Sequence, residues 1–210
     1  KAYTEMKKAA ITFFEENVMT AASVLTQMIR LHQIICGHVK TDDGEIKSIK
    51  SNRIKELLEV LEETNGKVII WAVYRYDIQE IEKTLGEKYG KESVATYYGD
   101  TKDNLRQSIV DRFMDADDDL RFFVGNPKTG GYGLTLTSSH TVVYYSNDYS
   151  LEVRLQSEDR AHRIGQTNKV TYVDLMADHT IDEKIVKALN AKIDLASQVM
   201  GEDPKKILFG

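Results

Sequence analysis

The sequence predicts a doubly wound α/β domain, a mostly parallel sheet with helices on both faces, preceded by a helical and hairpin appendage. Three observations predict it. From Ser51 onward, five short apolar runs alternate with stretches of helical periodicity over about 130 residues. One of those runs, Lys67-Val-Ile-Ile-Trp-Ala-Val73, is continuously apolar after its first residue, as befits a strand covered on both faces. The chain has 210 residues, 41% of them hydrophobic and 29% charged, which is ordinary for a globular protein with a sizeable core.

The elements follow in order. Residues 1–36 read as helix, with Val24, Leu25, Met28, Ile29, Leu31, His32 and Ile35 forming a wide apolar stripe that must be buried. His32 beside that stripe is expected at the edge of a core with a backbone partner, since no second ligand at suitable spacing makes it a metal site. Residues 37–50 read as a hairpin turning at Asp42-Asp43-Gly44. We expect residues 1–50 to be an appendage and residues 51–210 the main domain. Ser51 can cap a helix presenting Ile54, Leu57, Leu58 and Leu61, which Asn65-Gly66 ends. After the strand at 67–73 come a helix with Ile78, Ile81 and Leu85 inward and a short strand over 93–98. Thr101 opens a helix with Leu105, Ile109 and Phe113 inward. The acidic run 115–119 is a solvated loop. Phe122-Phe-Val124 is a strand, followed by a glycine-rich loop and a strand over 141–146. A helix carrying Arg160 and Arg163 precedes the last strand, 169–175. Thr180-Ile-Asp-Glu183 is a capping box that starts a long helix burying Ile181, Ile185, Ala188, Leu189, Ile193 and Ala196.

Composition excludes several classes. The net charge is −5, so any nucleic-acid contact must be a local patch. The single cysteine, Cys36, excludes an intrachain disulfide, and its apolar flanks suit a buried small hydrophobe. His140, His162 and His179 do not cluster, so no metal site is expected. No apolar run approaches the roughly 20 residues that span a bilayer, and no secretory signal is visible. A reducing compartment is expected: cytoplasmic, or nuclear in a eukaryote.

In open α/β sheets, ligands gather beyond the carboxyl ends of the strands. Those positions here follow Val73, Tyr98, Val124 and Ser146. Gly125-Asn-Pro-Lys-Thr-Gly-Gly-Tyr-Gly-Leu134 would let the backbone approach an anion, with Lys128 adding a mobile charge. It is not a Gly-x-x-x-x-Gly-Lys-Ser/Thr phosphate loop, and a tight turn without a ligand is the alternative. Gly99-Asp100-Thr101 offers a hydroxyl for one DNA phosphate or a plain helix cap. Ser146-Asn-Asp-Tyr149 offers an aromatic for a nucleotide or ordinary loop packing. In Gln156-Ser-Glu-Asp-Arg-Ala-His-Arg-Ile-Gly-Gln166, a helix running to His162 or Arg163 puts Gln156, Arg160 and Arg163 on one face. Paired guanidiniums suit phosphate oxygens. The alternative is a solvated face with Asp159–Arg163 and Glu158–His162 pairs.

These stretches together resemble the C-terminal motor lobe of a Swi/Snf-family DNA-dependent ATPase, among the superfamily-two helicase-like proteins. Gly130-Gly-Tyr-Gly-Leu-Thr-Leu-Thr137 with His140-Thr-Val-Val-Tyr-Tyr is similar to the family's motif V and its strand. Gln156 to Gln166 resembles its motif VI, residues 68–85 its motif IV, and residues 97–113 its Gly-x-Thr segment and helix. The lead-in ending Leu31-His-Gln-Ile-Ile-Cys36 is similar to the helices before the second lobe.

The resemblance implies a RecA-like lobe. It implies ATP and Mg2+ held mainly by a first RecA-like lobe absent from this sequence, with Arg160 and Arg163 as arginine fingers. Gly131, Gly133 and Gln156 would line the nucleotide, while Lys128, Thr101 and Tyr149 would touch double-stranded DNA. No membrane partner is implied, and hydrolysis by this lobe alone is expected to be negligible. The chain departs from the pattern in having Asp148-Tyr-Ser-Leu151 for Asp-Trp-Asn-Pro, and Asn126-Pro-Lys128 for a Ser-Thr-Arg type of sequence. The alternatives are a non-catalytic binding module of the same fold and a lobe of a strand-separating helicase.

Overall fold

The structure is a computed structural model, which describes residues 1–9, 11–14, 17–129, 134–163, 166 and 168–200, with backbone alone at 11–14, 17–19, 196–197 and 199–200. The described elements are α1 (Ala2–Ala9), β1 (Ile11–Phe14), β2 (Asn17–Thr20), α2 (Val24–Cys36), β3 (His38–Lys40), β4 (Ile46–Ser48), α3 (Arg53–Glu62), β5 (Lys67–Trp71), α4 (Arg75–Tyr89), β6 (Val94–Tyr97), α5 (Asp103–Met114), β7 (Phe122–Gly125), β8 (Ser139–Tyr144), α6 (Leu151–Asp159), β9 (Thr171–Asp174) and α7 (Ile181–Met200).

Five strands form one parallel sheet in the order β6-β7-β5-β8-β9. The apolar run singled out in the sequence is its central strand: Ile69 lies opposite Phe123 on one side and Val142 on the other. Alternation along the strands divides the core in two. Val68, Ile70 and Ala72 meet Leu57 and Leu61 of α3 and Ile78, Ile81 and Leu85 of α4. Ile69 and Trp71 face the other way, onto Phe113 of α5, Leu120, Leu136 and Ala161. β7 ends in a glycine because nothing larger fits. A Cβ on Gly125 would lie 2.9 Å from the Trp71 ring and 2.9 Å from the Tyr97 carbonyl oxygen.

A third core joins the chain's beginning to its end. Met6, Leu31, Ile34 and Val39 pack with Ile181, Ile185 and Leu189 of α7. Arg53 of α3 reinforces this junction, since its buried guanidinium pairs with Asp182 and donates to the carbonyl oxygens of Tyr145 and of Leu175, the latter at 3.1 Å.

Several expectations are corrected here. The helix expected over 1–36 is two helices separated by an antiparallel hairpin, β1 with β2. Ile11-Thr-Phe-Phe14 and Asn17-Val-Met-Thr20 are rich in β-branched and aromatic residues, and that preference prevails over the helical spacing. The stripe on α2 is buried only in its C-terminal half, for Val24 and Leu25 are 74% and 65% exposed. His32 is buried with side-chain partners instead of a backbone one: Tyr74 Oη lies 3.1 Å from Nδ1, and Asp182 Oδ1 lies 3.5 Å from Nε2. α5 starts at Asp103, so Phe113 is fully buried while Leu105 turns outward. The capping box opens one residue early: Glu183 accepts from the His179 amide at 2.8 Å.

Candidate functional site

The site is assembled from the chain on either side of β8. α6 begins at Ser150, whose hydroxyl accepts from the Val153 amide. It ends at Asp159, short of the expected His162 or Arg163, but a tight turn carries the direction on: the His162 amide donates to the Glu158 carbonyl oxygen at 3.2 Å. This turn is attached to the segment that follows the glycine loop. The Leu136 amide donates to the Arg160 carbonyl oxygen at 2.9 Å. The Gln166 amide group donates to the carbonyl oxygens of Thr137 and Ser139 at 3.0 and 3.2 Å. Arg160 and Arg163 are therefore held beside residues 135–139, the stem of the glycine loop. Gly131 and Gly133 lie outside the described residues, as does the helix-ending Gly165.

The two guanidiniums differ in their partners. Arg163 donates from Nε to Asp159 Oδ2 at 2.9 Å and from Nη1 to Thr135 Oγ1 at 3.3 Å. Its side chain is 32% exposed, and pairs of this kind contribute about 0–1 kcal/mol. A phosphate, bound through a charge-assisted fork, can displace that partner. Arg160 is only 6% exposed, and its guanidinium makes no ion pair or hydrogen bond to another described residue. Burial lowers its pKa, and the neighbouring charge of Arg163 lowers it further, against the pull of Asp159. Gln156 does not join the pair; its amide donates to Glu152 Oε1 at 3.0 Å. Of the two carboxylate pairs expected of a solvated face, Asp159–Arg163 forms, whereas Glu158 takes Arg154 at 2.7 Å.

At the carboxyl ends of the strands, Asn126 organises the turn, a role that its place between strand and proline signals. Its side-chain amide donates to the Val73 carbonyl oxygen at 2.8 Å, and its carboxamide oxygen accepts from the Lys128 amide at 2.9 Å. Lys128 is 59% exposed and pairs with Asp148 Oδ2 at 2.7 Å. Arg75, just past β5, makes a similar exposed pair with Asp100, and sequence reading overlooked it although it follows the strand-end rule.

Two residues expected at DNA have partners within this lobe. The Thr101 hydroxyl is not free: it donates to the Thr96 carbonyl oxygen at 3.0 Å and accepts from the Tyr98 amide at 3.0 Å. Tyr149 packs inward, with its ring edge-on to His32 at 6.3 Å in the third core. Burial pushes its hydroxyl up to about 12.

Among the described residues no cluster of His, Cys, Asp and Glu fits a metal ion, and no helix is long and apolar enough to cross a membrane.

Comparison with known proteins agrees with this fold. Residues 49–165 match the helicase conserved C-terminal domain. The ATP-dependent helicase fft2 of Schizosaccharomyces pombe is 30% identical over 196 residues, which are 92% of this chain and 15% of that protein. The ATP-dependent helicase FUN30 of Saccharomyces cerevisiae is 29% identical over 183 residues, 83% of this chain and 16% of that protein. The chain thus spans under one fifth of the length of these two relatives. The crystal structure of the C-terminal part of the Fun30 ATPase domain is similar, with a TM-score of 0.60 and 28% identity over 67% of this chain and 46% of that one. The chain belongs to the helicase conserved C-terminal domain family, as a RecA-like second lobe of the Swi/Snf type.

Proposed function

We propose that this lobe supplies Arg160 and Arg163 to the phosphates of ATP held by a first lobe, as half of a double-stranded DNA translocase. The carrying observation is Arg160 itself, a largely covered arginine with Arg163 close enough to lower its pKa and no ion pair to a described carboxylate. Two neighbouring guanidiniums repel each other and lose hydration as they are covered, so an anion between them is favoured. Two guanidiniums fit a nucleotide's phosphates, and Mg2+ is proposed to be held by the first lobe. Bound ATP supplies the phosphoryl group, and the arginines compensate the charge that develops on it, an effect typically worth about 10³–10⁵ in rate. Gly131, Gly133 and Gln156 are proposed to line the nucleotide side of the same cleft.

For DNA, the geometry favours Lys128 and not Thr101 or Tyr149. An exposed lysine whose carboxylate partner contributes little can turn to a backbone phosphate. Such a contact positions the duplex without reading its bases. In a eukaryote this activity would be nuclear.

Two substitutions test the reading in a chain joined to a first lobe, in cis or in trans. Arg163→Ala is expected to remove at least about 2 kcal/mol of transition-state stabilisation from DNA-stimulated ATP hydrolysis with the fold retained. Unchanged turnover would remove the finger role. Lys128→Ala is expected to weaken stimulation by DNA and to lower the salt dependence of binding by about one phosphate contact. Binding with an unaltered salt slope would take Lys128 off the DNA path.

A further inference from the structure

α6 must hold the two arginines in register, yet it has little apolar surface with which to do so. Leu155 is its one fully buried aliphatic side chain. The buried face carries polar residues instead, and they converge on Arg154. Its Nε donates to Glu158 Oε1 at 2.7 Å. Nη1 donates to Asn147 Oδ1 at 2.7 Å and to Asp174 Oδ1 at 2.5 Å, and Nη2 donates to Asp174 Oδ2 at 3.2 Å. The guanidinium lies over the Tyr144 ring, 3.6 Å from its centre. Around this fork the groups hold one another. Asn147 donates to Asp174 at 2.8 Å, the hydroxyls of Tyr144 and Ser157 are 2.7 Å apart, and the Tyr172 hydroxyl donates to the Glu158 carbonyl oxygen at 3.2 Å.

One side chain therefore joins α6 to the end of β8, to the loop after it and to the end of β9. It does so immediately before Asp159, which holds Arg163, and Arg160. A planar fork fixes both position and rotation of the helix, which a lone apolar contact cannot do.

We propose that Arg154, with Asp174 and Asn147, is the positioning device of the arginine pair: it sets where Arg160 and Arg163 stand without touching the nucleotide. The inference rests on the finger reading given above. Arg154→Lys keeps the charge and loses the fork. In a chain joined to a first lobe, it is expected to lower kcat for DNA-stimulated ATP hydrolysis about ten- to a hundredfold, the effect of a small misplacement, with KM for ATP within about twofold. Because Arg154 acts only through the pair, and the two arginines act on the phosphates as a unit, Arg154→Lys in an Arg163→Ala background is expected to lose little beyond Arg163→Ala alone. The exchange R154D/D174R restores an ion pair across the same gap and is expected to recover part of the kcat lost in R154D.

A folded Arg154→Lys protein with full kcat, or losses that add in the double variant, would overturn the proposal. So would failure of both Arg154→Lys and the exchanged pair to fold, because Arg154 would then serve the fold and not the pair. The two readings separate on Arg163→Ala. If that variant keeps full turnover, the finger reading itself is wrong. If it loses turnover while Arg154→Lys does not, only the positioning inference fails.

Discussion

Three largely buried arginines in this lobe are held in opposite ways. Arg53 and Arg154 have carboxylates, and Arg160 has none among the described residues. For Arg154, burial works against the charge, but Asp174 and Glu158 outweigh it and raise the pKa; at Arg160, burial and Arg163 lower it. The thermodynamic consequences are opposite. Arg53→Met leaves Asp182 buried and uncompensated, so it is expected to lower stability by about 3–5 kcal/mol, read by urea unfolding. Arg160→Met removes a largely covered cation that makes no ion pair with a described residue and is repelled by Arg163. It is expected to leave the melting temperature unchanged or raised, while turnover with a first lobe falls as for the loss of a finger. A melting temperature well below the wild-type value would mean that Arg160 holds the lobe together and does not await an anion.

At the scale of the element, the close approach at the end of β7 is the feature most sensitive to a small change. A methyl on Gly125 would meet both the Trp71 ring and the Tyr97 carbonyl oxygen, and neither is the far end of a flexible side chain. Gly125→Ala is therefore expected to cost about 1–3 kcal/mol, measured by denaturant unfolding, through overpacking and not through backbone conformation. It would also disturb Asn126, whose amide donates to the Tyr97 carbonyl oxygen at 3.1 Å, and with it the turn that presents Lys128. A Gly125→Ala protein as stable as wild type would show that β6 and β7 can separate slightly at no cost.

At the scale of the whole molecule, the junction between residues before Ser51 and the sheet domain contains titratable groups. His32 is buried against Tyr74 and Asp182, with Arg53, His38 and Asp148 close enough to influence it. Burial lowers its pKa to about 4, although Asp182 pulls the other way. A histidine with a depressed folded pKa is protonated first in the unfolded chain. As pH falls from 6.5 toward 4, the unfolded state gains the proton and stability drops, by up to about 3 kcal/mol from this group. Urea unfolding across that range is expected to show wild type losing stability faster than His32→Gln. Parallel curves would mean that His32 carries its proton in the folded state, shared with Asp182.

The sequence by itself determined the α/β alternation, the strand covered on both faces and the parallel sheet, and it nominated the residues proposed to meet phosphate. These are local properties: periodicity, an unbroken apolar run, and turn residues at strand ends. The motif-like arginines stand out in the sequence because their chemistry lies in residue type and spacing. Only the tertiary structure decided which of them are available. The Thr101 hydroxyl is taken by a backbone carbonyl five residues upstream, and Tyr149 by a core built from both ends of the chain. Likewise Arg154, unremarkable in the sequence, becomes the centre of a network because Asn147 and Asp174 arrive from separate strand ends. A hydrogen-bonding partner far along the chain leaves no periodic trace, so the partnering of polar groups had to await the fold.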